Sequence, residues 1–179
     1  AVNYTNKTQH LFRINKGIPA EALEEAYRRI ITFNSPMLEE NNRSFHRLLT
    51  EGIDVSFAED GNIRTKNVQI VDFSEEGIKN NEFLVVNQFT IIENEERRPD
   101  LLIFVNGIPL VIIELKSASD ENVGIESAYN QIQTYKKDIP SLFNYNAFCI
   151  LSDGINAKAG TITSNEERYM NWRSIDGKV

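Results

Sequence analysis

The sequence predicts an α+β fold with an α/β-like core, a mixed central β-sheet flanked by helices. Three observations lead there. Residues 18–52 carry helix punctuation, residues 53–115 carry strand-type alternation and turn signals, and a helix followed by a strand completes the pattern over 121–154. The 179 residues are 41% hydrophobic and 25% charged, an ordinary globular composition and enough chain for one domain with its own core. Residues 1–179 are therefore read as a single domain, with 160–179 as a polar tail that keeps Trp172.

Residues 1–18 are mixed and contain a short strand-like "HLFRI". "IPAEALEEAYRRIITFN" (18–34) reads as a helix. Pro19 suits its first turn, Glu21, Glu24 and Glu25 its N-terminal half, and Arg28 and Arg29 its end. "SPMLEENNRSFHRLLTEG" (35–52) reads as a second helix, with Ser35 as N-cap, Pro36 at the first helical position and Gly52 as stop. "IDVSFA" (53–58) and "VQIVDF" (68–73) alternate around a turn at "EDGN" and predict a hairpin. "EFLVVNQFTII" (82–92) reads as one longer strand and "ENEERRP" (93–99) as a charged loop. "DLLIFV" and "PLVIIELK" form a second hairpin about Asn106-Gly107. "ENVGIESAYNQIQTYKKDIP" (121–140) is an amphipathic helix ended by Pro140, "NAFCILSDG" (146–154) a strand, and "TIT" (161–163) a last short strand.

The chain holds no run of the roughly 18 apolar residues that a membrane span requires, and no secretory signal pattern. Cys149, the only cysteine, lies in the apolar run "AFCIL" and reads as a buried small hydrophobe. A reducing, cytoplasmic setting fits. A net charge of −7 argues against a free-standing nucleic-acid binder but not against a metal-dependent nuclease, which gathers carboxylates in its site. The chain opens at "AVNYTNKTQ" without an initiator Met, which suggests a fragment of a larger protein.

The second hairpin carries the chemistry. A strand buried on both faces is almost wholly apolar, and "PLVIIELK" obeys until Glu114 and Lys116 at its end. Residues two apart on a strand share a face, so these two project together. Asp100 stands at the matching open end of the preceding strand. Metal-assisted phosphodiester hydrolysis wants this set. Mg²⁺ takes hard oxygen ligands, commonly one or two carboxylates plus phosphate and water. Asp100 and Glu114 supply the carboxylates and the Leu115 carbonyl a further oxygen. Lys116 either orients and deprotonates the attacking water or neutralises developing charge. The plainer reading is a structural Glu–Lys pair beside an unrelated Asp. The apolar flanks and the Pro-Asp across the turn weigh against it.

Pro99-Asp100 followed by Glu114-Leu115-Lys116 resembles the P-D…(D/E)-x-K signature of restriction-endonuclease-like nucleases. The stretches "FLVVNQFTI", "RRPDLLIFVNGIPLVIIELK", "NQIQTY", "LFNYNAFCILSDG" and "MNWRS" resemble, more specifically, the N-terminal nuclease domain of the restriction (motor) subunit of type I restriction-modification enzymes. The resemblance covers most of residues 35–175. It implies a restriction-endonuclease-like fold, Mg²⁺ as cofactor, duplex DNA as substrate, and methylation and specificity subunits as partners of the full-length protein. It also implies an ATP-driven motor beyond Val179, and this chain has no G-x-x-x-x-G-K-[ST] of its own. The family's Q-x-x-x-Y motif matches Gln131 and Tyr135, which are neighbours on one helix face. They act beside the metal site or, more plainly, as a core tyrosine and an interfacial glutamine.

The family also takes an acidic residue from an early helix. No Asp or Glu precedes Glu21, and Glu39 and Glu40 do not align with that element, so an incomplete metal site is expected. Arg97 and Arg98 either grip phosphate beside the scissile bond or pair with Glu93, Glu95 and Glu96. His46 reads as a solvated or capping residue, His10 has no partner pattern, and no zinc-type cluster is present. For Asp100 and Glu114 to share an ion, the strand alternation calls for an odd connection: a three-residue loop Val105-Asn106-Gly107 with Gly107 as a G1 bulge and Phe104 paired with Ile108. A plain two-residue loop would send the two carboxylates to opposite faces.

Overall fold

The structure is a computed structural model and describes residues 9–117 and 124–173. The fold is α+β with a mixed central sheet. The described residues up to Leu84, with Val105–Ile108, form one compact unit, and Val85–Phe104 with those from Pro109 onward form a second.

The first unit contains α1 (Gln9–Ile14), α2 (Ala20–Ile31), α3 (Leu38–Glu51), the hairpin β1 (Ile53–Glu59) and β2 (Asn62–Val68), and a single turn α4 (Gly77–Asn80). Helix α2 buries Ala22, Leu23, Ala26 and Ile30, the stripe its spacing demands, and α3 buries Phe45 and Leu49. Gly52 stops α3 with φ 76°, a left-handed residue that needs no Cβ.

Three local expectations change here. "HLFRI" is helical, not extended: its one buried residue is Leu11, and Asn15 ties the helix end down by donating its side-chain amide to Leu11 O at 2.9 Å and Gln69 O at 2.8 Å. Helix α3 starts at Leu38, later than a Ser35 cap implies, because the Ser35 hydroxyl accepts from the Met37 N–H at 3.1 Å and closes its own turn first. The partner of β1 is the polar "NIRTKNV", not "VQIVDF". Asp60 and Gly61 both have positive φ and make a two-residue turn, which fixes the register from Ile53↔Val68 to Glu59↔Asn62.

The second unit is built on a six-stranded sheet ordered β10-β9-β8-β7-β6-β3. Its strands are β3 (Phe83–Asn87), β6 (Leu101–Val105), β7 (Ile108–Leu115), β8 (Phe148–Ser152), β9 (Ala157–Gly160) and β10 (Met170–Asn171). β7 and β8 run parallel, with Glu114 beside Leu151 and Leu115 beside Ser152, whereas β8–β9 and β9–β10 are antiparallel. The parallel step is bridged by α5 (Ile125–Asp138) and the short α6 (Pro140–Phe143). Residues 121–123 of the predicted helix lie outside the described residues. Ala128, Ile132 and Tyr135 form the buried stripe of α5, and Ile112, Leu151 and Cys149 are buried on the sheet. The Cys149 thiol, sealed by this core, is pushed up to about 12 by burial.

The stretch read as one strand over 82–92 is two. β3 ends at Asn87, Gln88 turns with φ 50°, and β4 (Ile91–Ile92) then pairs with β5 (Glu96–Arg97) inside the expected charged loop. The last sheet strands also fall differently. β9 ends at Gly160, just before "TIT", and Met170–Asn171, in the stretch read as a tail, pairs back onto β9. Among the described residues no helix is long and apolar enough to cross a membrane.

Candidate active site

Glu114 is the last but one residue of β7 and one of few buried charged groups, at 3% exposure. Lys116 follows past the strand end, where its N–H donates to Ser152 O at 2.7 Å and so stays fixed to β8. The i, i+2 spacing turns both side chains the same way, and Lys116 Nζ donates to Glu114 Oε1 at 2.8 Å. Burial holds the Glu114 carboxyl above its usual range. The Lys116 hydrogen bond opposes that shift, and the charge of Asp100 adds to it. Glu114 Oε2 is buried and receives no hydrogen bond of normal geometry.

Helix α5 brings Tyr135 to this carboxylate and Gln131 to Tyr135. The Tyr135 hydroxyl lies beside Glu114 and is bonded on its other side by Gln131. Burial, then the Glu114 charge, raises its pKa far above the ordinary phenol, so it stays protonated. Asp100 immediately precedes β6. Its Oδ2 accepts the Leu115 N–H at 2.9 Å and its Oδ1 accepts Gln88 Nε2 at 2.8 Å.

The connection between β6 and β7 is the two-residue loop Asn106-Gly107, not the three-residue loop with a G1 bulge. Both residues have positive φ, 51° and 78°, as a type I′ turn requires. Asn106 accepts this conformation because its side chain is held in place. Its Nδ2 donates to Ile70 O at 2.9 Å and Asn81 Oδ1 at 2.8 Å, and its Oδ1 accepts the Glu82 N–H at 2.9 Å. The two carboxylates are nonetheless close enough for the charge of Asp100 to act on Glu114. Asp100 lies one residue outside β6, where strand alternation no longer dictates its direction, and its carboxylate meets the backbone of β7 at Leu115.

Arg97 sits in β5 with its guanidinium on Asp138, the last residue of α5: Nε donates to Oδ2 at 2.7 Å, and a terminal nitrogen lies 2.6 Å from the same oxygen. Its partner is thus neither Glu93, Glu95 nor Glu96. Arg98 is exposed and forms no ion pair among the described residues. Glu39 and Glu40 stand in the first turn of α3, in the first unit. Sequence reasoning missed Gln88 and Asp138. "NQF" inside an apolar run marks Gln88 only as an odd polar residue, and nothing in the sequence joins Arg97 to Asp138.

The donors present fit a hard divalent cation. Two carboxylates approach each other, one with an orphaned buried oxygen, and Leu115 stands between Glu114 and Lys116 in sequence. Among the described residues no group of three or more His, Cys, Asp or Glu could cage a metal. A hard divalent cation that keeps waters needs only one or two carboxylates from the protein.

A mixed sheet with α5 laid against it, presenting acidic residues and a lysine at adjacent strand ends, is compatible with a restriction-endonuclease-like core. Residues 2–168 match the family described as the type I restriction enzyme R protein N terminus, and the chain belongs to that family. It is 35% identical over 168 residues to the type I restriction enzyme HindI endonuclease subunit of Haemophilus influenzae, covering 93% of this chain and 16% of that one. The putative type I restriction enzyme MjaIXP endonuclease subunit of Methanocaldococcus jannaschii is 36% identical over 167 residues, 91% of this chain and 16% of its own length. The type I restriction enzyme EcoprrI endonuclease subunit of Escherichia coli is 33% identical over 125 residues, 65% of this chain and 38% of its own. The chain thus spans about one sixth of the first two relatives.

Proposed function

We propose that this domain is the Mg²⁺-dependent endonuclease part of a type I restriction subunit and hydrolyses phosphodiester bonds of duplex DNA. The observation that carries the reading is Glu114 Oε2, a buried carboxylate oxygen that receives no hydrogen bond of normal geometry from the described residues, beside a second carboxylate and a lysine. A buried polar atom left in that state is costly unless another group completes it. Asp100 and Glu114, with the Leu115 carbonyl, would hold the ion. The chemistry a divalent cation supplies at such a site is activation of water and neutralisation of phosphate charge. Lys116, tied to Glu114, holds an ammonium where the attacking water or the charged phosphate sits. Tyr135 stays a proton donor towards Glu114, with Gln131 fixing its hydroxyl. Exposed Arg98, two residues before Asp100, is a cation available to the DNA backbone. Target recognition falls to separate specificity and methylation subunits, and cleavage occurs in the cytoplasm wherever the ATP-driven motor of the full-length subunit delivers DNA.

A second reading, a DNA-docking or motor-coupling module without hydrolysis of its own, draws on the −7 charge and on there being, among the described residues, no carboxylate cluster larger than the Asp100–Glu114 pair at the site. The test is plasmid cleavage by the full-length subunit assembled with its partners. Asp100→Asn, Glu114→Gln and Lys116→Met should each lower cleavage by about a hundredfold or more and leave ATP hydrolysis intact. Cleavage at the parent rate in all three variants would leave the docking module as the better account.

A further inference from the structure

Strand β3 ends at Asn87, and the chain leaves the sheet through Gln88 at φ 50°. Side chains disfavour that left-handed region, and Asn and Asp, with short polar side chains, tolerate it better than Gln does. Such a conformation persists where the surroundings over-determine it, and it concentrates at functional sites. Here the surroundings are Asp100. The Gln88 N–H donates to the Asp100 carbonyl at 3.0 Å, and the Gln88 side chain donates to Oδ1 at 2.8 Å. The other oxygen, Oδ2, takes the Leu115 N–H at 2.9 Å. A donor on each oxygen sets the plane of the carboxylate. Each oxygen keeps further acceptor capacity, since an ionised carboxylate offers about four lone-pair sites. Both donors are neutral, so they orient the charge without cancelling it.

We infer that Gln88 is the positioning residue of Asp100, using a left-handed break after β3 to fix the carboxylate for a divalent cation. This deepens the reading of Asp100 as a ligand and rests on it. A lysine or arginine in the same place would hold the carboxylate equally well but would compete with a metal for its charge. Gln88 gives orientation alone.

Two readouts on the full chain test this: Mn²⁺ titration followed by the free-ion paramagnetic resonance signal, and amide hydrogen exchange at Leu115. Gln88→Gly removes the side chain and suits the left-handed backbone. Gln88→Asn tolerates that backbone but is one methylene too short. Both variants should weaken Mn²⁺ binding about tenfold or more, the effect expected for a group that orients a metal ligand. Both should speed Leu115 exchange at least about tenfold, with Ile112 and Cys149 exchange and the metal-free melting temperature unchanged. Parent-like Leu115 exchange in both variants overturns the inference, and so does parent-like Mn²⁺ affinity in both. Asp100→Asn is the control for the underlying reading. If the parent binds Mn²⁺ no better than Asp100→Asn, the metal site itself fails, and the Leu115 amide alone then decides whether Gln88 holds Asp100.

Discussion

At the scale of single residues, Cys149 reports on the fold around it. It is fully buried on β8, with its thiol pushed up to about 12 by burial, whereas an exposed thiol ionises at about 8.5. At pH 8 the disulfide reagent DTNB should therefore label the chain completely in urea and leave the native chain unlabelled over hours. The folded pKa is the raised one, so this residue's contribution to stability is full below about pH 8.5 and declines as pH rises from there towards 12. Rapid native labelling would show that β8 opens. Arg97 and Arg98 should separate cleanly. Arg97→Ala strands the buried Asp138 carboxylate and should cost about 1–3 kcal/mol in urea denaturation. Arg98→Ala should leave the denaturation midpoint in place and weaken DNA binding. Asp100, Glu114 and Lys116 were legible because charge at the ends of apolar strands has no packing reason to be there. Gln88 and the Arg97–Asp138 pair were not. A left-handed glutamine has no compositional mark, and a contact spanning 41 residues leaves no periodicity to detect.

At the scale of elements, the Asn106-Gly107 turn shows how tertiary bonds choose a local conformation. Its dipeptide suits either a two-residue loop or a bulged three-residue one. The buried partners of the Asn106 side chain, Ile70 O, Asn81 Oδ1 and the Glu82 N–H, select the first. Asn106→Ala should lose those bonds and also suffer the left-handed backbone, at about 2–4 kcal/mol in total. Asn106→Gly, which loses only the bonds, should be less damaging by about 1 kcal/mol. Equal midpoints for the two variants in chemical denaturation would refute the backbone share. Helices α2, α3 and α5, and strands β1, β7 and β8, followed from periodicity and punctuation because each buries one clear stripe or run. β2 escaped notice because it is almost wholly exposed and its polar residues carry no alternation. β3 and β4 were fused because both are apolar and the break between them depends on Asp100, not on a glycine or proline.

At the scale of the molecule, the −7 charge bears on the proposed contact with DNA. Affinity of the full chain for duplex DNA should be weak and should fall with salt along a log–log slope of magnitude below about 4, since few phosphates are engaged. Fluorescence anisotropy over a KCl series checks this, and tight, salt-insensitive binding would contradict it. The overall α+β class was readable from the order of periodicities. The partition into two units was not, because the tip of the β6–β7 hairpin, Val105–Ile108, belongs with the first while the strands it joins belong with the second. The parallel pairing of β7 with β8 also governs when the site can come into being. Lys116 is fixed by Ser152, and Tyr135 reaches Glu114 from the helix that lies between the two strands in sequence. Parallel strands separated by a helix close late, because the loop entropy must be overcome before the pairing stabilises anything. A nascent chain that has emerged only as far as the β6–β7 hairpin carries both carboxylates but neither the helix nor the neighbouring strand that arranges them. On the proposed reading, metal-binding capacity should therefore be among the last properties acquired in refolding, and cleavage by the domain waits until its own synthesis has passed β8.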